Sequence, residues 1–136
     1  MSEAANVDRL AGTLRAALHS RSRTALVPFL EAVYVQYDTW RSDRRALVSS
    51  EKLAAEFELP VRSDSHAVRI LLEACCKRAG GGINEKTLSE WTMCIRKAWR
   101  RRGKWETFSE FIKHNGGISG AAALLPKLPR YRRSDF

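Results

Sequence analysis

Apolar residues recur at every third or fourth position along most of this chain, and this spacing restricts the fold more than any other feature. Val7, Leu10, Leu14 and Leu18 follow it with polar residues between them, which is typical of a helix with one buried face. No window alternates with a period of two over several residues, so strands are not expected. The sequence therefore predicts an all-α protein, a compact bundle of six or seven short helices.

Interruptions of this period set the expected helix bounds. Helices should end before Pro60, at the glycines 80–82 and at the glycines 116–117, because proline and left-handed glycine stop helices. Residues 63–65 offer N-caps for the fourth helix. The most hydrophobic helix, residues 24–41, should be central to the core or to a dimer interface. The first, second and last predicted helices cover residues 6–19, 24–41 and 118–125. The third runs through Leu47 and Leu53 to Phe57, and the fourth follows the caps at 63–65 and ends at the glycines 80–82. The fifth begins at Asn84 or Thr87 and ends at Gly103, and the sixth contains Trp105 and Phe108 and ends at the glycines 116–117.

The length of 136 residues suits one domain, since single domains of this size bury a sizeable core. We expect residues 1–125 to form a single all-α domain. Residues 126–136 contain prolines and charges without a period, so they are interpreted as a basic extended tail.

The net charge of +9 is unevenly distributed. Residues 1–68 carry nine basic and nine acidic side chains, whereas residues 69–136 carry fifteen and six. A basic excess confined to one half of a chain attracts polyanions, of which nucleic acid is the commonest in the cytosol. The charge distribution therefore favours a nucleic-acid partner over a surface that only keeps the protein in solution.

Several features indicate a cytoplasmic protein. The first twelve residues contain two acids and no apolar core, unlike a secretory signal, and no apolar run approaches the roughly 20 residues of a membrane span. Three cysteines, with Cys75 and Cys76 adjacent, fit reduced and buried thiols better than a disulfide framework. We expect no membrane partner.

A helix within residues 86–105 combines a tryptophan-containing apolar face with a dense basic face. Arginines four residues apart, such as Arg96 and Arg100, form one stripe along a helix and repel each other unless an anion binds. The planar guanidinium of arginine is well suited to binding phosphate. Solubility alone would not require arginine in particular. Phosphate contacts are predicted on this face and on the tail, from Arg96, Lys97, Arg100, Arg101, Arg102, Lys104, Arg130, Arg132 and Arg133.

Trp91, Trp99 and Trp105 have two alternative roles. They could stack on bases, as aromatic side chains do in proteins that bind single strands. Their spacing with Leu88 and Ile95 continues the apolar stripe of the helix, which favours packing in the core.

Residues 50–72 begin with SEKLAAEFELP, which resembles the first helix and turn of helix-turn-helix DNA-binding domains. The resemblance implies that Ala54 is the small buried residue of the unit and that Val68 anchors the second helix. Glu58 stands where this family usually has glycine, and the turn is several residues longer. In such domains the start of the second helix enters the major groove. The resemblance thus implies base contacts by Ser65, His66 and Arg69. Two ordinary packed helices with a proline-containing connector are the alternative.

No motif indicates catalysis, a cofactor or a metal. His66, His114 and the cysteines show none of the spacings that zinc sites reuse. There is no serine elbow, and no lysine follows the glycines 80–82 as it would in a phosphate-binding loop. We therefore expect a protein without enzymatic activity.

These patterns together predict a small non-enzymatic DNA-binding protein that regulates transcription. The segment HNGGISGAAALL, residues 114–125, resembles small proteins of bacterial plasmids and integrative elements, so a bacterial mobile-element regulator is expected. Its small residues would allow a close helix contact, either inside the monomer or across a homodimer. Two alternatives use the same basic face: an RNA-binding or nucleoprotein-complex subunit, and a helical inhibitor or adaptor that docks on an acidic protein.

Overall fold

The protein, seen in a computed structural model, is all-helical over the part of the chain that the structure describes, which is residues 3–20, 22, 24–60, 66–105 and 107–124. These residues form seven α-helices and no strand, which confirms the predicted fold class. None of the helices in these ranges is both long and apolar enough to cross a membrane. In chain order they are α1 (Glu3–His19), α2 (Leu26–Ser42), α3 (Ala46–Glu56), α4 (Ala67–Arg78), α5 (Glu85–Arg100), α6 (Phe108–His114) and α7 (Gly117–Ala122).

The helix α2 lies at the centre of the bundle and packs against α1, α3, α4, α5 and α6. Phe29, Leu30 and Val33 on its inner face are fully buried. Trp40 is also fully buried, and its indole Nε1 donates a hydrogen bond of 3.0 Å to Glu3 Oε2 of α1. The prediction that this helix is central to the core is confirmed.

The helix α5 packs through the apolar face that the sequence predicted. Leu88, Trp91, Ile95 and Ala98 are buried where α5 meets α2, α4 and α7. Asn84 caps the helix, since its side-chain oxygen accepts a hydrogen bond of 2.8 Å from the backbone N–H of Thr87, as expected for a residue at this position. The apolar face fixes the direction in which the remaining side chains of α5 point.

The small residues of α7 serve a contact inside the monomer. Ala121 is fully buried where α7 packs against α5 and α6. A Cβ atom on Gly120 would lie 2.0 Å from the carbonyl oxygen of Asn115, so only glycine fits there. Of the two interpretations of this segment, packing within one chain is the one observed, and the homodimer stays a prediction.

Two helices begin later than the sequence predicted. The helix α6 begins at Phe108 because Thr107 is extended and its Oγ1 accepts a hydrogen bond of 3.1 Å from the N–H of Glu110. Trp105 therefore lies in the loop between α5 and α6. The N-cap of α4 is His66, whereas the expected caps at 63–65 fall outside the described residues.

Candidate nucleic-acid interface

The end of α5 and the loop after it carry six of the predicted phosphate-contact residues, one of which is Lys97. Arg100 and Lys104 are exposed to solvent, whereas Arg96 and Arg101 are half-buried. Arg96 and Arg100 are four residues apart, so they project from the same side of α5, one turn apart. The apolar side of α5 is held in the core. Arg102 is also exposed, and it lies against an aromatic ring.

That ring belongs to Trp99, which holds two guanidinium groups. The Cζ atom of Arg102 lies 3.7 Å from the ring centroid and that of Arg41 lies 4.4 Å from it, both within the range of cation–π attraction. Arg102 Nη1 also donates a hydrogen bond of 2.9 Å to the carbonyl oxygen of Trp99. The indole Nε1 donates to Asp38 Oδ1 at 3.2 Å, which fixes the ring between α2 and α5. Trp99 thus serves as a platform for two cations.

The two guanidinium groups on Trp99 lie next to the buried side chain of Tyr37, whose ring contacts that of Trp99 with centroids 5.8 Å apart. Burial raises the pKa of the Tyr37 hydroxyl, and the positive charges of Arg41, Arg96 and Arg102 oppose this rise. Since α2 supplies Arg41 and α5 supplies Arg96, the cluster forms only in the folded protein. It places like charges close together, which favours binding of an anion.

Arg41 was missed by the sequence reasoning. It lies in the half of the chain whose net charge is zero, so the division of charge by halves hid it. The signal was nonetheless present, because Arg41, Arg44 and Arg45 follow one another at the end of a predicted helix. Basic residues near a helix C-terminus are also expected on electrostatic grounds, so this run by itself does not indicate an anion site.

Lys97 is not part of the exposed basic face, and its predicted phosphate contact is therefore wrong. The residue is 3% exposed, and its Nζ donates hydrogen bonds to the carbonyl oxygens of Ala122 and Leu124 at the end of α7. The last carbonyls of a helix lack partners within the helix, so a buried ammonium can stabilise them. Lys97 fastens α7 to α5.

The expected exposure of His66 is also wrong. The residue is 9% exposed, and its Nδ1 accepts a hydrogen bond of 3.0 Å from the N–H of Val68. Its Nε2 lies 3.5 Å from the hydroxyl of Tyr37. His66 therefore caps α4 from inside the protein, and both of its ring nitrogens lie within hydrogen-bond distance of groups of the protein.

Arg69 is engaged by two acidic side chains. Its guanidinium contacts Glu73 Oε1 at 2.6 Å and Glu85 Oε2 at 2.5 Å, and the Arg69 side chain is 17% exposed. These ion pairs join α4 to the first turn of α5, so a base contact would have to break them. Ser65, the third residue implied by the resemblance, lies outside the described residues, as do Arg130, Arg132 and Arg133.

The segment between α3 and α4 differs from a tight turn. Ten residues separate the two helices, compared with the roughly three or four of a helix-turn-helix unit. Glu58, at the position where that family usually has glycine, has a φ of 52°, in the left-handed region that favours glycine. Ala54 and Val68 are buried, as the resemblance implied, but any two packed helices would bury them. The helix-turn-helix assignment stays a prediction.

Burial of His66 makes the stability of the protein sensitive to acid. Burial, together with the charges of Arg96 and Arg41, lowers the pKa of His66 from 6.5 to about 3. Below pH 6.5 the unfolded chain binds a proton that the folded protein does not. The free energy of unfolding therefore decreases as the pH is lowered from about 6.5 to about 3. His66→Asn keeps a capping oxygen and removes the titrating group. Urea unfolding should show that the wild type loses about 2 kcal/mol more than this variant between pH 7 and pH 5. Equal losses would contradict the assignment.

The three cysteines belong to the interior. Cys75, Cys76 and Cys94 are free and buried, as predicted, and burial raises the pKa of Cys76 to about 11 and that of Cys94 to about 12. Such thiols are poor nucleophiles near neutral pH. Within the described ranges, no three His, Cys, Asp or Glu side chains come close enough to hold a metal ion.

Comparisons with protein-family models, with curated proteins and with solved structures found no match to this chain.

Proposed function

We propose that the protein is a non-enzymatic DNA-binding protein that contacts phosphates through one surface. This basic surface comprises the side chains at the end of α5, those of the following loop and one arginine of α2. Its members are Arg41, Arg96, Arg100, Arg101, Arg102 and Lys104.

The observation that carries the proposal is the stacking of Arg41 and Arg102 on Trp99, with Arg96 on the same helix as Trp99 and near enough to affect the pKa of Tyr37. Guanidinium groups gathered on one surface raise the local concentration of anions, and phosphates are the anions that this group binds well. Arg100 and Lys104 extend the cluster with exposed charges. The surface thus offers several points of phosphate contact on one side of the molecule.

The arrangement favours binding that depends little on base sequence. Two of the three residues expected to read bases are occupied elsewhere, His66 as a buried cap and Arg69 in ion pairs. Phosphate contacts position a protein on DNA but carry no sequence information. Regulation of transcription at a defined site therefore stays a prediction from the sequence, and the basic surface supports the more general activity.

A salt titration tests the proposal. At about 100 mM salt, we expect duplex DNA to bind with micromolar affinity, and the logarithm of the binding constant should fall linearly with the logarithm of salt concentration. The variant Arg100→Gln/Lys104→Gln should bind more weakly to every duplex sequence. Its salt slope should be smaller by about 1.8 if both side chains contact phosphates, because each contact contributes about 0.9.

The matched control removes the same charge from another side of the bundle. Arg9 of α1 and Lys52 of α3 are exposed, and neither helix packs against α5 beyond marginal contact. Arg9→Gln/Lys52→Gln should leave the slope unchanged. Equal effects of both double variants would show that net charge, not this surface, drives binding. Failure to bind duplex DNA, single strands and RNA at low salt would contradict the proposal and leave an acidic protein as the partner.

A further inference from the structure

A cleft of about 380 Å³ lies beside the basic surface, between α2 and the segment that links α5 to α6. Its volume is in the range of sites that bind small molecules. Aromatic side chains form much of its wall, and one aliphatic residue, Val35, is 55% exposed at its edge. The lining residues that matter here are Tyr34, Val35, Asp38, Arg102, Trp105 and Phe108.

The aromatic rings of the cleft are held in place by their neighbours. The ring of Tyr34 lies 5.4 Å from that of Phe108, measured between centroids. Trp105 stacks on His114 with centroids 4.9 Å apart and an interplanar angle of 22°. Rings that are fixed before binding lose little further freedom when a planar ligand stacks on them.

The polar groups of the cleft suit a nucleobase better than a phosphate. Asp38 and Glu31 line it, and their carboxylates accept hydrogen bonds from Trp99 and Ser109 within the protein. A carboxylate repels phosphate but has several acceptor sites, so these groups can also accept hydrogen bonds from amino and imino groups of bases. Bases offer such donors at their edges, together with acceptors.

Arg102 connects the cleft to the basic surface. Its side chain lines the cleft and also lies on the ring of Trp99, within the arginine cluster. A strand whose phosphates lie on the basic surface would therefore bring its sugars and bases to the mouth of the cleft.

We propose, building on the proposed function, that this cleft holds one unpaired nucleobase of the bound DNA, so that strands with accessible bases are preferred. Phosphates would bind the arginine cluster, while the base would stack against Tyr34 or Trp105. Stacking of this kind tolerates any base, because every base has a π-face. The preference would therefore be for unpaired bases and not for a sequence.

The test compares two strands of equal charge. One is a single-stranded DNA of about ten nucleotides, within the site sizes of single-strand binders, and the other has the same backbone with abasic sites throughout. We expect the base-containing strand to bind about tenfold more tightly, the ratio that corresponds to one stacked base. Equal affinities would overturn this inference and leave the proposed function standing. If neither strand nor duplex DNA binds, the proposed function itself fails.

A pair of variants locates the base. Val35→Trp would fill the cleft from its exposed edge, and it should reduce the tenfold ratio to about one while leaving the affinity for the abasic strand unchanged. Val48→Trp is the control, because Val48 is 53% exposed and lies on α3, away from the cleft. This variant should keep the tenfold ratio. Retention of the full ratio by folded Val35→Trp would show that the base binds elsewhere and would overturn the inference.

Discussion

Replacement of Trp91 with alanine is expected to lower the free energy of unfolding by about 3–5 kcal/mol, the usual cost of truncating a buried aromatic side chain. Trp91 is 3% exposed, and its ring meets that of Phe29 edge to face with centroids 5.9 Å apart. The truncation would leave a cavity between α2 and α5. Urea unfolding followed by circular dichroism measures the change.

Trp91→Phe is the matched control for this prediction. It keeps an aromatic ring next to Phe29 and should cost less than the alanine variant, because a smaller volume is lost. The prediction would be contradicted by a Trp91→Ala protein of nearly wild-type stability. If that protein also bound single strands less tightly, Trp91 would be a base-stacking residue and not part of the core.

Replacement of Lys97 with methionine is expected to cost about 2–4 kcal/mol, since a hydrogen bond to a charged group contributes roughly 1.5–3 kcal/mol. Methionine keeps the aliphatic stem in place but leaves the carbonyl oxygens of Ala122 and Leu124 without their donor. The loss should fall on α7 first, because Lys97 links its end to α5. Hydrogen exchange of the α7 amides, together with urea unfolding, measures both effects.

Lys104→Met separates this role from loss of charge. Lys104 is exposed, so its replacement should change stability by no more than about 0.5 kcal/mol while weakening DNA binding. Lys97→Met, in contrast, should leave the salt slope of binding unchanged as long as the protein remains folded, since Lys97 is buried against the end of α7. If the Lys97→Met protein were as stable as the wild type and had a smaller salt slope, Lys97 would belong to the basic surface, and its assignment as a buried link to α7 would be wrong.

The sequence predicted the class of fold because the helical period depends only on local spacing. The apolar stripe of α2 and that of α5 were both placed correctly, since each needs one buried face whatever packs against it. The bounds were less accurate where a single polar side chain decides them. Thr107 is the N-cap of α6, and His66 is the N-cap of α4. The hydrophobic pattern does not indicate either position.

The site could be predicted only in outline. The spacing of residues on α5 does not distinguish an exposed lysine from one that bonds to a carbonyl far away in the sequence. Lys97 is of the second kind, because its partner Ala122 lies 25 residues later in the chain. Likewise, Arg69 looked available because Glu85 approaches it from a different helix. Arg41 also meets its neighbours through tertiary contact, because the packing of α2 on α5 brings it and Arg102 to the ring of Trp99.

The stacking of Arg41 and Arg102 on Trp99 has an entropic consequence. A free arginine samples many rotamers, and ordering such a side chain on binding costs roughly 0.5–1.5 kcal/mol. Here the indole ring restricts both guanidiniums during folding, so much of that ordering precedes any encounter with an anion. Trp99 would therefore raise the affinity of the proposed surface for phosphate without contacting the phosphate, because it restricts the rotamers that Arg41 and Arg102 adopt before binding.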